Sequence, residues 1–421
     1  MMRAVAIKFF WELAHSPDSV KVDMEMEQPF ENEDFLRQEI LDIVSKCVKC
    51  RFCFSRCPVY EVSDGWVTQG GSGITQSLYY GIKFNHIDRT LRDILMRCTT
   101  CRSCEEICDR LMAGVSLVKA ITKGRQLLLL QGIDPLREQQ RALESLQLFG
   151  NPYGKPPSKR TAWARGLDLK RLEEAPRGGC LLYHVGCTAS YDDRVQKVAR
   201  SISGILQAAG VPFGILEQER CSGETALVMG ERALFEDLAE QNLQRFGKAG
   251  ISQILTTSPH DFNCFLKDYP DQVRKIEIMH YIQFFSGLAD QGRLVFEREI
   301  PRKVTYQDPC YLGKHNQVYE EPRKLLAAVP GLELVEMKRN RQESLCCGGG
   351  GGRMWADFDE AARLAEIRVL EALETGADTL ATACPFCLVN FEDAVKVLDK
   401  EDSIVVRDVS EILFEAMNLG G

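Results

Sequence analysis

The sequence predicts a chain of class α + α/β, with a helical N-terminal domain followed by two duplicated α/β domains that carry parallel sheets. Three observations carry this reading. Residues 1–150 hold eight cysteines in two tight groups and otherwise read as amphipathic helix, as in FLRQEILDIVSK and TLRDILMR. Residues 180–295 and 296–421 run through one common series: strand, cysteine, helix, strand, cysteine–glycine loop, helix, strand, final loop. Strands that alternate with helices through short connections form parallel sheets.

The 421 residues suffice for two or three domains with their own cores. With 45% hydrophobic and 27% charged residues the composition is that of an ordinary globular protein. A net charge of -8 argues against broad nucleic-acid binding, which leaves a basic footprint. No apolar run approaches the roughly 20 residues of a membrane helix, so any membrane contact is expected through a partner. The opening MMRAVAIKFFWELAHS is apolar, but Lys8 and Glu12 interrupt it and no small-residue cleavage site follows. No signal peptide is therefore expected, and a reducing, anaerobic cytoplasm is the expected location. Seventeen cysteines in a chain large enough to fold without staples point to metal rather than disulfides, or else to small buried hydrophobes. Spacing decides.

In the helical domain Cys47, Cys50, Cys53 and Cys57-Pro58 follow the C-x2-C-x2-C-x3-C-P run of bacterial ferredoxins. Cys98, Cys101, Cys104 and Cys108 repeat the spacing, with Asp109 where proline is usual. In this pattern three thiolates of each run bind one 4Fe-4S cubane and the fourth cysteine reaches the other. One cubane is therefore expected on Cys47, Cys50, Cys53 and Cys108, and a second on Cys98, Cys101, Cys104 and Cys57. Zinc also binds C-x2-C pairs, but four cysteines within eleven residues, twice over, are too crowded for separate zinc ribbons. Arg51 and Arg102 stand where small residues are common, and a cation there would raise a cluster's potential unless it is simply solvated.

Residues 151–179 are rich in proline, glycine and basic side chains and read as a surface linker. The first α/β half follows with strand CLLYHV, Cys187, a helix from about Asp192 to Ala209 and strand FGILEQ. It continues with Cys221-Ser222-Gly223, a long helix to about Lys248, strand QILTT and SPHDFNCF. The second half has strand KVTYQD, Cys310, a helix around EEPRKLLAAV and strand LELVEM. Cys346-Cys347-Gly348, a helix from about Asp357 to Glu374, strand TLATA and CPFCLVNF complete it. In that last helix Leu364, Ile367, Leu370 and Leu373 form an i, i+3 ridge suited to packing on a sheet. The cysteines of both halves follow strands, at the carboxyl ends where open α/β sheets place ligands.

Five thiols of the second half, Cys310, Cys346, Cys347, Cys384 and Cys387, form a set with Cys310, then 35 residues, CCG, then 35 residues, then C-x2-C. This set resembles the cysteine-rich CCG domain of the heterodisulfide reductase family. The resemblance covers nearly the whole chain: a two-cubane module followed by two CCG domains is similar to the D-type subunit of heterodisulfide reductase. Related iron–sulfur subunits accompany glycolate oxidase, flavoprotein dehydrogenases, sulfite reduction and class II benzoyl-CoA reductase. The resemblance implies a noncubane 4Fe-4S cluster on those five cysteines, which would also be the catalytic residues. Gly348, Gly349 and Gly350, with Gly351 and Gly352, would let backbone approach the cluster, permit positive φ and free N–H groups for its sulfur. A phosphate cradle would need the Lys-Ser/Thr of a P-loop, which this loop lacks.

The first half departs from that pattern. Cys187 and Cys221 align with Cys310 and Cys346, but Ser222, Ser258 and Asp261 replace the other three ligands. Two readings stay open: a degenerate structural copy, or a further metal site on Cys187, Cys221 and Cys264, with His260. Either way one catalytic-type cluster is expected rather than two. His184, His280 and His315 read as structural or surface residues, with His315 close behind Cys310. Lys338, Arg339 and Arg341 read as a solvated face or an anion or partner contact, and Cys180 as core. No Rossmann fingerprint is present, so a flavin or nicotinamide is expected on another subunit.

The resemblance implies an iron–sulfur electron-transfer subunit of a redox complex, partnered by a flavoprotein or quinone-reactive membrane subunit, or by a reductase that it feeds. Its alternative role is disulfide cleavage at the noncubane cluster.

Overall fold

The computed structural model describes residues 32–111, 113–174, 180–358, 360 and 363–419. The expectation for the stretch MMRAVAIKFFWELAHS lies outside them.

The N-terminal domain is helical. Asn32 Oδ1 accepts the Phe35 N–H at 2.8 Å and starts the helix Glu33–Val44; Asp88 does the same for Arg89–Met96 through Leu91 N at 3.0 Å. Ile40 and Val44 pack on Ile74 and Leu78 of Gly71–Lys83 and on Ile121 and Leu128 of Leu117–Leu130. Each such buried side chain contributes about 1.5–3 kcal/mol, which fixes the helices that carry the two cysteine loops.

Each α/β half has an all-parallel sheet. The first contains β1 (Lys170–Arg171), β2 (Cys180–His184), β3 (Gly214–Ile215), β4 (Ile251–Thr256) and β5 (Glu277–His280), in the order β1-β3-β2-β4-β5. The second contains β6 (Lys303–Tyr306), β7 (Glu333–Val335), β8 (Thr379–Thr382) and β9 (Val405–Asp408), in the order β7-β6-β8-β9. Without β1 the two orders coincide, as a duplication requires. One core runs through both halves: Val198, Ile202 and Leu206 of the helix Gln196–Ala208 meet Ile412 and Leu413 of Val409–Ala416. Tyr281 Oη donates to Asp408 Oδ1 at 2.8 Å across the same seam.

The segment read as a linker is less peripheral than expected. Its residues Lys170 and Arg171 pair with Gly214 and Ile215 as an edge strand, and Arg160 and Trp163 are buried at 2% exposure. The helix expected from about Asp357 starts at Leu364. Ahead of it, Arg353 forms a bidentate pair with Glu360 at 2.9 and 2.7 Å, and its guanidinium lies 4.2 Å from the Phe358 ring centroid.

Candidate functional site

The two cysteine loops of the N-terminal domain repeat each other in backbone as well as spacing. Lys49 and Arg51 have φ of 60° and 64°, and Thr100 and Arg102, at the equivalent positions, 51° and 68°. Left-handed non-glycine residues cost of order 1–3 kcal/mol each and persist where surrounding structure holds them. The reward is a loop that curls its sulfurs inward. Ser72 N–H donates to Cys53 Sγ at 3.1 Å and Thr100 N–H to Cys98 Sγ at 3.4 Å.

The thiols fall into two groups. Burial pushes Cys53 up to about 11, and Cys47, Cys50 and Cys108 add to the rise. Burial likewise raises Cys57, with Cys101 and Cys98 reinforcing it, while Cys104 rises through burial, Glu105, Cys57, Cys98 and Cys101. Sulfurs raised by one another are ready for a cationic core that takes them as thiolates. Cys50 is exposed and Cys101 buried, so the first group faces solvent and the second the interior. For the zinc alternative, no group of three or more His, Cys, Asp or Glu side chains among the described residues could hold a single ion. A thiol-only donor set of this kind suits a 4Fe-4S cluster.

In the second half all five cysteines are buried at the carboxyl ends of β6, β7 and β8. They form a chain of hydrogen-bonded thiols, Cys310–Cys346–Cys347–Cys387–Cys384. Bonds from Cys101 and Cys310 lower Cys346, and bonds from Cys346 and Cys387 hold Cys347 well below the usual thiol range. Burial raises Cys384, but hydrogen bonds from Cys387 and His260 outweigh it and bring the thiol down to about 5. Gly348, at φ 92°, donates its N–H to Cys346 Sγ at 3.4 Å, and Asn390 Nδ2 holds the Cys347 carbonyl at 3.1 Å.

The glycine run serves a second purpose. A Cβ on Gly351 would stand 2.2 Å from the Cys98 carbonyl oxygen, and one on Gly350 2.5 Å from that of Thr99. Gly350, expected at the cluster, therefore packs against the cubane loop of the N-terminal domain. Gly349 faces Asn390 and Phe386.

That contact is part of a junction with no counterpart among the sequence expectations. Cys101 is hydrogen-bonded to Cys346 and sits with Cys310 and Tyr311 in one small buried cluster. Around it, Thr100 Oγ1 and Tyr311 Oη lie 3.0 Å apart, and Lys314 Nζ donates to Ser103 Oγ at 2.7 Å and Ser344 O at 2.5 Å. His315 Nε2 meets Thr100 O at 2.9 Å while its ring stacks on Tyr311. The fully buried Arg125 donates to Leu95 O, Cys98 O, Val228 O and Gly351 O, and so ties all three parts together. Its one sequence signal is an arginine among the leucines of GRQLLLL.

Other basic residues are engaged rather than free. Arg102 pairs with Glu105 and Asp109, which offsets its charge near the cysteines. Arg339 bridges Glu61 and Glu371, and Arg341 bridges Glu320 and Glu336. His280 caps the helix Tyr281–Asp290, and Cys180 packs at the edge of the first half's core.

Among the described residues the first half shows no group of three or more His, Cys, Asp or Glu side chains placed to hold a metal ion. Cys187 and Cys221 are hydrogen-bonded to each other, but the Cys264 thiol donates to the Ser222 carbonyl at 3.7 Å and lies in the core. His260 turns away as well: its Nδ1 is 3.0 Å from Glu224 Oε1, its ring stacks on Tyr311 at 3.9 Å, and it is hydrogen-bonded to Cys384 of the other half. Ser222 Oγ donates to Asp261 Oδ1 at 2.5 Å. Buried Glu219 accepts from Arg160 and from the N–H groups of Val185 and Gly186, and His184 lies between Glu219 and Asp261. A polar network fills this end of the sheet, and the residues present do not fit a further metal.

Comparison with known proteins agrees with this anatomy. The 4Fe-4S dicluster domain family matches residues 43–111, and the Cysteine-rich domain family matches residues 181–266 and 304–392. The D-type subunit of the dihydromethanophenazine:CoB–CoM heterodisulfide reductase of Methanosarcina barkeri is 31% identical over 89% of this chain and 94% of its own length. The probable iron-sulfur-binding oxidoreductase FadF of Bacillus subtilis is 31% identical over 91% of the chain, and the EtfAB:quinone oxidoreductase of Syntrophomonas wolfei 30% identical over 97%. The alignments span 61% and 63% of those two longer relatives. The chain belongs to the family of the heterodisulfide reductase D-type subunit.

Proposed function

We propose that the chain is an electron-transfer relay, with cubanes on Cys47, Cys50, Cys53, Cys108 and on Cys98, Cys101, Cys104, Cys57, leading to a noncubane 4Fe-4S cluster on Cys310, Cys346, Cys347, Cys384 and Cys387. When bound, such clusters take up and release single electrons. The observation that carries the reading is the Cys101–Cys346 contact, where a ligand of the inner N-terminal group touches a ligand of the five-cysteine group. Arg125, Lys314 and the glycine run hold that contact rigidly, and buried surroundings keep water from it. Exposed Cys50 marks the opposite end of the path as the side of exchange with a partner.

No helix among the described residues is long and apolar enough to cross a membrane. The partner would be a flavoprotein, a quinone-reactive membrane subunit or a reductase that the chain feeds, in keeping with the relative named EtfAB:quinone oxidoreductase.

A second reading has its own observation. A cleft at the carboxyl ends of the first sheet is walled partly by Pro385 and Phe386, the residues between Cys384 and Cys387. A substrate disulfide reaching this cleft would lie beside the five-cysteine group, making those cysteines catalytic.

Protein purified without oxygen, mildly oxidised and examined by EPR with and without an added thiol separates the two. A spectrum indifferent to thiol supports the relay. A thiol-dependent signal that disappears in Cys347→Ser supports disulfide cleavage.

A further inference from the structure

Five arginine and lysine side chains are buried among the described residues: Arg125, Arg160, Lys314, Arg323 and Arg368. Three of them face a carboxylate, Arg160 with Glu219 at 2.6 Å, Arg323 with Asp308 at 2.7 Å and Arg368 with Glu371 at 2.6 Å. Arg125 and Lys314 face none among the described residues, and their donors go to carbonyls and one hydroxyl. A buried charge is costly unless an opposite charge faces it. Both of these cations stand against the loop that carries Cys98, Cys101 and Cys104: Arg125 donates to the Cys98 carbonyl at 2.9 Å, and Lys314 to Ser103 Oγ at 2.7 Å. A 4Fe-4S core held by four thiolates is an anion whose charge grows by one on reduction, and it supplies the countercharge that the side chains do not.

Lys314 reaches a ligand sulfur through a single hydroxyl. Ser103 Oγ, which accepts from the ammonium, lies 3.3 Å from Cys101 Sγ. With Cys101 as a thiolate, the Ser103 hydroxyl proton points at the sulfur while Lys314 polarises it. The Cys346 hydrogen bond and burial raise the Cys101 thiol, and Lys314 and Ser103 pull against the rise. Arg102, the other cation of this loop, is already paired with Glu105 and Asp109. The outer loop lacks the hydroxyl: Phe52 stands where the inner loop has Ser103, and it is 58% exposed. Lys49 and Arg51 beside it are exposed, so water and salt screen their charge. The Lys314 ammonium is buried and acts unscreened.

We propose that Lys314, acting through Ser103, is a positioning residue that raises the reduction potential of the inner centre above that of the outer one. This role rests on the relay reading given above. Lys314 and Ser103 favour the reduced form of the inner centre because that form carries the larger negative charge. In the transfer between them the outer centre loses one electron and the inner centre gains it. The electron is then held beside the five-cysteine group, so the gradient runs from the exposed Cys50 end inward.

The test is a redox titration of the anaerobically purified holoprotein followed by EPR, with iron counted in every variant. The outer signal is the one that Cys50→Ser perturbs, and in the wild-type protein the inner signal is expected to have the higher midpoint. Lys314→Met is expected to keep about 12 irons and the outer midpoint but to lower the inner one. The drop should cut the inner centre's reduced-to-oxidised ratio at a fixed potential by about tenfold, the weight of one hydrogen bond to a charged group. Ser103→Ala keeps the lysine and is expected to shift the inner midpoint the same way by less; it decides alone if the lysine variant does not assemble. Lys314→Arg is expected to restore most of the shift. An inner midpoint below the outer one in the wild-type protein overturns the assignment and leaves the relay standing. So does an inner midpoint that stays in place in Ser103→Ala and in iron-replete Lys314→Met. A wild-type protein without an inner signal overturns both.

Discussion

In the second half Cys346 and Cys347 stand side by side and touch thiols on both flanks, whereas at the same place in the first half Cys221 is followed by Ser222, whose hydroxyl is bonded to Asp261. The strand orders of the halves agree, so three ligands were exchanged without disturbing the sheet. The fold and the ligand set are therefore separable. The sheet is held by apolar burial, with Val198 and Ile202 against Ile412 and Leu413, while the ends of the strands are free to carry thiols or a hydrogen-bonded polar network. Where thiols were lost, Glu219, Arg160, Asp261 and Ser222 satisfy one another, as buried polar groups must. The first half also lends the second a residue: His260, on the loop aligned with Cys384–Cys387, is hydrogen-bonded to Cys384 itself.

Counting iron separates the halves most directly. About 12 irons per chain are expected, from three four-iron clusters. Cys347→Ser is expected to fall to about 8, whereas Cys264→Ser stays at about 12 and loses only the roughly 1–3 kcal/mol of a newly buried hydroxyl. Iron and acid-labile sulfide analysis checks both. Equal losses in the two variants would erase the difference between the halves.

A second effect concerns what joins them. Arg125→Met leaves the carbonyls of Val228, Cys98 and Gly351 without their charged donor, and is expected to lower stability by about 3–5 kcal/mol. Thermal unfolding of the holoprotein reads this as a markedly lower midpoint. A shift no larger than that of an exposed arginine would mean that the junction is not held there.

The smallest effect lies at the seam between the halves, in Asp408. Burial, with Glu411 adding to it, pushes this carboxyl from 3.8 up to about 7. A group whose folded value is raised binds more protons folded than unfolded between those limits, so stability is lost as pH rises through them. The Asp408→Asn variant keeps an oxygen for Tyr281 and Ser410 and is expected to show a flatter decline between about pH 4 and 7 than the wild-type protein. Denaturation midpoints across that range decide; parallel slopes would remove Asp408 as the cause.

Periodic and local features were legible in the sequence. The cysteine spacings, the order of strands and helices and the substituted ligands Ser222, Ser258 and Asp261 follow from residue type and interval. Features set by distant contacts were not. The glycines after Cys347 read as a cluster cradle, yet Gly350 and Gly351 are small because backbone some 250 positions earlier presses on them. The helix expected from Asp357 rests on periodicity alone, which does not see the Arg353–Glu360 pair ahead of the helix that starts at Leu364. The linker's proline and glycine content hid a short edge strand because a two-residue pairing leaves no period to read. His260 looked like a candidate ligand of its own half, and only the packing of the halves turned it to the other.

Above all, the contact of Cys101 with Cys346 would place the proposed inner N-terminal centre against the proposed centre of the second half. EPR of the fully reduced protein tests this through magnetic coupling between those two centres. A split or broadened signal is expected in the wild-type protein, narrowing in Cys347→Ser and persisting in Cys50→Ser, whose lesion lies at the far, exposed group. An inner-centre signal that is unsplit in the wild-type protein and unchanged by Cys347→Ser would contradict it.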